Sequence, residues 1–299
     1  MTLPILMPLR AIVLVEEVLA VTSAPRILVA DCYIKGSENW TAAPWGWETR
    51  IGDRTIINVD HHADDPRFYR NVSSGNLAIE YLKVHEPDPR VPVVINHTDC
   101  DSVISSAILC GLLEPEGRYG EAVIAADHTG EENRIADLLQ SLDIRRDYLA
   151  SLHNLRLLEN GEPVEPDVEA LLEDRRRERA LAIQLVRAGA FERFGRVAVA
   201  TLPFAQRVSG EFLPPLLPDV WAIVSGTPMY NGLWETKARL GLAAPAGSSL
   251  FAFGIAEAEP LFGGRWNAGS TKRAGGSLRT PREVATRLAH FIQELPQLA

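Results

Sequence analysis

The sequence predicts an α/β protein: a doubly wound, mainly parallel sheet followed by a smaller α/β domain. Three observations carry this. Short apolar runs rich in Val and Ile recur through the first half of the chain, and each ends on a polar residue. Helical patterns lie between or after them, the alternation expected of βαβ units. A second set of strand-like runs begins only after a long charged helical stretch. At about 150 residues per domain, 299 residues suggest two domains. With 46% apolar and 23% charged residues, such a chain buries a sizeable core without cross-links.

The first two dozen residues read as an amphipathic helix or strand packed on the body. The strand-like runs then follow: Arg26–Ala30 ending at Asp31, Thr55–Val59 ending at Asp60, Val91–Ile95 ending at Asn96 and His97, and Ala122–Ala126 ending at Asp127. Helical patterns cover Leu77–Val84, Val103–Leu113 and Arg134–Leu149. Asp167–Ala190 is a charged helix, read as a solvated connector, with a phosphate-backbone contact as the other reading. The runs RVAVATL, VWAIVSG and LFAFGIA are expected strands of the second domain. A Gly-rich segment, Gly263–Ser277, precedes a last helix. Thr280, Pro281 and Glu283 open that helix in a capping-box pattern. The expected organisation is 1–165 for the first domain, 166–194 for a helical linker and 195–299 for the second.

Composition excludes several classes. A net charge of −9 argues against a sequence-blind grip on long duplex DNA, which needs many Lys and Arg contacts to phosphates. It leaves room for a small phosphate-bearing ligand in a local basic pocket. Three cysteines (Cys32, Cys100, Cys110) and no CxxC pair point to a reducing, cytoplasmic setting. The apolar stretch Ala11–Val21 is too short to span a bilayer, and Glu16 and Glu17 interrupt it, so neither a membrane span nor a signal peptide is expected.

The chemistry concentrates in two segments. In INHTDCDSVISSAIL, His97, Asp99 and Asp101 alternate after a strand, and a helix begins near Ser102, which can cap it. Alternation sets three ligands on one side of a turn. Carboxylates suit a hard divalent cation, and an imidazole shifts the preference toward Mn or Zn. The same residues also fit a helix-capping turn with incidental acids. In INVDHHADD, Asp60, His61 and His62 follow a buried strand. One imidazole can bind a metal while a carboxylate fixes its tautomer, and the other can meet a phosphate; a plain surface turn is the alternative.

The Gly-rich tail offers a backbone nest with Arg265, Lys272 and Arg273 for phosphate oxygens and Asn267 and Ser270 for hydrogen bonds. A flexible loop is the other reading of it. Trp266 is open between stacking a base and ordinary packing. His128, beside Asp127, is open between a phosphate contact and a supporting role. Trp40, Trp45 and Trp47 frame either an aromatic pocket or a loop.

VDHH followed by NVSSGNLAIEYL resembles the signature of the DHH phosphoesterase superfamily, in its RecJ-like and nanoRNase-like members. NHTDCDSVISSAIL resembles that family's first motif in its HxDxD form, ILVADCY its second, and VIAADHTG its fourth. Here HxDxD follows DHH, an apparent circular permutation. Such a change is tolerable when strands are exchanged at surface connections. The tail lacks the family's GGGH histidine.

The resemblance implies two metal sites. One uses His97, Asp99 and Asp31; the other uses Asp101, Asp31, His61 and Asp127. Asp31 bridges them, Asp60 supports, and His62 faces the phosphate. It implies two Mn2+ ions, with Mg2+ or Co2+ left open, and a metal-activated hydroxide attacking a small phosphate ester: a short oligonucleotide, a cyclic dinucleotide or a nucleotide. The C-terminal domain is expected to bind substrate. Partners are therefore a small phosphorylated substrate or short oligonucleotide, with no membrane; a homodimer is left open. Two other functions stay open at this point: a phosphoanhydride hydrolase of the inorganic pyrophosphatase type, and a non-catalytic nucleotide-binding protein.

Overall fold

The computed structural model describes residues 2–295, in two compact units. One runs to His128 and resumes at Glu132–Arg175; the other holds Thr129–Glu131 and the residues from Arg176 on.

In the first unit the chain forms β1 (Ile5–Leu6), α1 (Val15–Val21), β2 (Arg26–Ala30), β3 (Thr41–Ala43), β4 (Gly46–Ile51), β5 (Arg54–Val59), α2 (Ser74–Leu82), β6 (Val93–Ile95) and α3 (Cys100–Leu109). The helices α4 (Gly117–Ile124), α5 (Arg134–Leu142) and α6 (Tyr148–Glu159) follow, and α7 (Pro166–Arg187) carries the chain past the division between the units. The sheet order is β1-β6-β2-β5-β4-β3. β1, β6, β2 and β5 run parallel, so their C-terminal ends lie along one edge; β4 and β3 extend the sheet antiparallel.

Period-two alternation divides the strand side chains between two cores. Ile27, Val29, Ile56 and Val94 pack with Val18 of α1 on one face. Leu28, Ala30, Ile57, Val59, Val93 and Ile95 pack on the other with Leu77 and Ala78 of α2 and Val103, Ile104 and Ala107 of α3. Burial on both faces explains why these strands read as unbroken apolar runs. At Gly75 an added Cβ would lie 2.9 Å from Val123 and 3.2 Å from Ile104, so α2 approaches α3 and α4 as only a glycine allows.

The second unit forms β7 (Glu192–Phe194), β8 (Val197–Thr201), β9 (Ala222–Pro228), β10 (Trp234–Leu240), α8 (Ile255–Ala258), β11 (Gly263–Arg265), β12 (Ala268–Ser270) and α9 (Pro281–Glu294), with sheet order β11-β12-β10-β9-β8-β7. Val197, Val199, Ala222, Val224 and Ala238 pack with Val284, Ala285 and Leu288 of α9. Thr280 caps α9: its Oγ1 accepts from Glu283 N, and Glu283 returns an acceptor to Thr280 N at 2.7 Å. Both units are therefore α/β, as the alternation predicts.

Four local expectations are corrected. Ala122–Ala126 is not a strand: Tyr119, Ala122 and Val123 fall at i, i+3 and i+4 and are buried in α4, and a π-helical turn, Ala125–Thr129, follows. A short apolar run does not distinguish a buried strand from a buried helical turn. The single helix expected over Arg134–Leu149 is two, broken where Arg146 adopts φ 52° and Asp147 caps α6. LFAFGIA is not a strand: Gly254 turns the chain at φ 84°, where an added Cβ would meet the Phe291 ring at 3.0 Å. Finally, Asp99 rather than Ser102 caps α3, its Oδ1 accepting from Ser102 N at 3.0 Å.

Candidate metal centre

The ends of β2, β5 and β6, with the π-helical turn after α4, bring the predicted acidic and imidazole side chains into one cluster. Asp31 follows β2 in the left-handed region, φ 49°, which Asp tolerates better than most residues. The turn divides its carboxylate between two neighbourhoods. Oδ1 accepts from Ser74 Oγ at 3.0 Å and lies 3.5 Å from His62 Nδ1 and 3.9 Å from His61 Nε2. Oδ2 accepts from Ser102 Oγ at 3.0 Å and lies 3.0 Å from His97 Nε2.

His61 and Asp101 are fully buried. The Val72 carbonyl can only accept, so the 2.7 Å contact from His61 Nδ1 places a proton on that nitrogen and leaves Nε2 as the ligating atom. Nε2 lies 3.2 Å from Asp127 Oδ2 and 3.5 Å from Asp101 Oδ2. Two backbone amides at the start of α2 hold Asp101: Ser74 N donates to Oδ2 at 2.8 Å and Gly75 N to Oδ1 at 2.7 Å. The helix N-terminus favours the carboxylate there. His128 Nε2 donates to the same Val72 carbonyl at 3.0 Å.

His62 is the partly exposed member of the DHH segment. Asp60 Oδ1 accepts from its Nδ1 at 2.6 Å, and Oδ2 accepts from its backbone N–H at 3.1 Å. On the other side of Asp31, His97 Nε2 lies 3.4 Å from Asp99 Oδ2.

Burial dominates the electrostatics. It raises the Asp101 carboxyl well above the usual carboxylate range, and Asp31, Asp127 and Asp99 add to the rise. Burial also raises Asp99 against the pull of His97. At Asp31 the burial effect is outweighed by His97 and His62, which hold that carboxyl far below its ordinary range. His97 is the counterpart: burial disfavours its charge, yet Asp99 and Asp31 raise it well above an ordinary imidazole. Without a metal, then, His97, Asp99 and Asp101 all hold a proton more readily than the free side chains do, which works against the build-up of negative charge. Divalent cations would do this more completely.

The donor set fits such ions. Ligand bonds of about 2.1 Å set neighbouring ligand atoms roughly 3.0–3.4 Å apart. The His97–Asp31, His61–Asp127 and His97–Asp99 separations are 3.0, 3.2 and 3.4 Å. Atoms able to ligate from Asp31, His61 and His62, from His61, Asp127 and His128, and from Asp31, His97 and Asp99 lie, within each group, no more than 4.8 Å from one another. By contrast Cys32 and Cys100 are buried with raised thiols, and burial pushes Cys110 up to about 12, which makes all three poor nucleophiles.

In the second unit, the residues expected to hold phosphate spread over a hairpin and the turn after it. Arg265 and Ser270 are half-buried on β11 and β12, whereas Lys272 and Arg273 are exposed in the 3-10 turn Lys272–Ala274. Trp266 and Asn267 are buried at the hairpin tip.

Sequence reasoning missed the neighbouring strand. Ala238 packs under α9, so Lys237 and Arg239 point to the opposite sheet face. Lys237 stands directly across from Ser270 and Ser225, and Arg239 from Ala268, which in turn pairs with Arg265. Burial lowers the Lys237 ammonium, and Arg207 and Lys272 lower it further against the opposing pull of Glu235 and Glu178. The signal was present in WETKARL, where charged and apolar residues alternate at the period of a strand.

The cluster and the two-sheet fold define an α/β protein with a candidate metal site. No protein-family model matches the chain, and no curated protein matches it by sequence. Among solved structures the chain is matched to PggH, a pGpG-specific phosphodiesterase of Vibrio cholerae. That match has 10% identity, covers 73% of this chain and 96% of the other, and has a TM-score of 0.42. No helix among the described residues is long and apolar enough to cross a membrane.

Proposed function

We propose that the protein is a metal-dependent phosphoesterase acting on a small phosphate ester such as a short oligonucleotide, a cyclic dinucleotide or a nucleotide. One observation carries the reading: the two oxygens of Asp31 diverge, one toward the DHH histidines and the other toward His97. A carboxylate so placed is suited to bridge two cations, one held with His97 and Asp99, the other with His61, Asp101 and Asp127. Bound there, the cations would provide a hydroxide nucleophile near neutral pH and neutralise charge building on the phosphoryl oxygens. Mn2+ suits this mixed carboxylate–imidazole set, with Mg2+ and Co2+ as further candidates.

The chain's own residues divide the remaining work. Val72 and the α2 amides fix His61 and Asp101 before substrate arrives, so little reorganisation is needed during reaction. Asp60 holds the His62 proton on Nδ1. That leaves Nε2 of this part-exposed ring to meet a phosphoryl oxygen or the leaving group. Arg265, Lys272 and Arg273, joined by Lys237 and Arg239, give the second unit a cationic surface suited to phosphate.

The test is hydrolysis of 5′-phosphorylated dinucleotides, cyclic dinucleotides, mononucleotides and pyrophosphate, with Mn2+ and after chelation. Mn2+-dependent cleavage of a phosphoester is the expected result. Cleavage of pyrophosphate alone, or turnover unaffected by chelation, would overturn the reading.

A further inference from the structure

His61 and His97 are held in different ways. The acceptor for His61 Nδ1 is a main-chain carbonyl, which no substitution removes. The acceptor for His97 Nδ1 is a side chain, Asn96 Oδ1, at 2.5 Å. Asn96 is only 3% exposed, and both polar atoms of its amide have a partner. Nδ2 donates to the Arg10 carbonyl at 2.7 Å. That carbonyl can only accept, so it fixes which way the amide faces; Oδ1 is left for His97, and the proton between them belongs to His97 Nδ1. Nε2 is thereby turned toward Asp31 and Asp99.

The backbone of Asn96 is anchored as well. Arg146 Nη2 donates to the Asn96 carbonyl at 3.0 Å and to the Met7 carbonyl at 3.1 Å. It thus stitches β1 to β6 beyond the point where their ladder ends. Arg146 reaches both from the left-handed conformation that splits α5 from α6. A non-glycine residue held in that region is where the fold tolerates local strain, and here the strain coincides with an anchor at the site edge.

We propose that Asn96 is a positioning residue for the cation held by His97, Asp99 and Asp31, and that residues 7–10 and Arg146 are parts of the same anchor. The amide selects the His97 tautomer and its orientation; the segment before α1 selects the orientation of the amide. This gives the N-terminal strap, whose role the sequence does not reveal, a function at the site. It rests on the reading that the cluster holds two cations. It adds that the histidine of one position is oriented by a side-chain relay, whereas the histidine of the other is oriented by the main chain. The cation at His61 is independent of Asn96.

The experiment is calorimetric titration of the full chain with Mn2+, using wild type, Asn96→Leu, Asn96→Asp and Arg146→Lys. Wild type is expected to take up two ions. Asn96→Leu removes both hydrogen bonds at similar volume and should weaken one ion by about 10–100-fold, the range for losing a partner that orients a metal-bound histidine, while leaving the other unchanged. Asn96→Asp keeps the acceptor for His97 Nδ1 and should bind nearer to wild type than Asn96→Leu. Arg146→Lys should weaken the same single ion, by less.

The proposal is overturned if Asn96→Leu binds both ions as wild type does, if it loses both alike, or if Asn96→Asp is as weak as Asn96→Leu. Wild type that takes up no Mn2+ would instead overturn the underlying two-cation reading.

Discussion

In the first unit the carboxylates Asp31, Asp60 and Asp101 are withdrawn almost completely from solvent at strand ends and a helix start, whereas the cations of the second unit stand on one face and one turn of a small sheet. The contrast teaches what each arrangement can bind. Buried acids raise one another's proton affinity and hold a compact, highly charged cation well. Half-exposed Arg and Lys side chains instead suit a diffuse anion such as phosphate, to which they donate hydrogen bonds without a large desolvation cost. In the first unit main-chain groups hold His61 and Asp101 and buried side chains hold Asp31 and His97; the second relies on side chains with rotamer freedom. Substitutions in the first should therefore act on ion binding and turnover, and those in the second on substrate affinity.

The largest effect is expected for Asp31→Ala. Several kcal/mol of transition-state charge stabilisation are at stake, so turnover should fall by on the order of 10³-fold or more. Metal analysis of the purified variant should show both ions depleted; wild-type metal content would break the bridging assignment. His62→Ala should lower kcat by roughly 10²-fold, the usual size of a general acid–base contribution, with metal content retained. Next comes Lys237→Ala. Loss of one charge-assisted contact, about 1.5–3 kcal/mol, should raise KM some tenfold or more with kcat and bound metal preserved. Steady-state kinetics separate the outcomes, and a fall in kcat alone would erase the contrast between the units.

The smallest effect is on stability and depends on pH. In the metal-stripped protein, His97, Asp99 and Asp101 are all raised, so the folded state binds more protons than the unfolded one. The stabilisation from the carboxyls is present below their ordinary range, that from His97 below about 6.5, and each is lost as pH rises through the raised value. Asp31 runs the other way, losing its contribution as pH falls, but its lowered value puts that loss in strong acid. Stripped protein should therefore melt at a lower temperature at pH 8 than at pH 6. Added Mn2+ should reverse the trend, because the same groups must release their protons to bind it. Melting curves at the two pH values, with and without a chelator, check the sign.

Much of the first unit was legible because its strands are buried on both faces and end in residues with unmistakable chemistry. Asp31, Asp60 and His97 each follow an apolar run, and the structure brings them together. Asp127 lies 3.2 Å from His61 but on a helical turn rather than at a strand end, because an apolar run suits a helical turn as well as a strand. The supporting shell was not legible. Val72 acts through its carbonyl and Gly75 through its amide, and a main-chain group leaves no mark in a sequence. Ser102 was visible, yet its role changed from a cap to a donor for Asp31 because Asp99 lies one turn earlier and takes the cap. Arg146 was hidden inside a helical pattern, since a left-handed residue other than glycine has no compositional signal. In the second unit the glycines mark Gly263–Ser277 in the sequence more strongly than the alternation marks β10, where alternate Lys and Arg share the sheet face with Arg265.

The central claim is that Asp31 is shared by two cations. Anomalous diffraction from crystals of the full chain grown with Mn2+ addresses it directly. The account predicts two peaks about 3.5–4 Å apart, one beside each oxygen of Asp31, the spacing of two-metal phosphoryl-transfer sites. A single peak, or two that do not share Asp31, would contradict it.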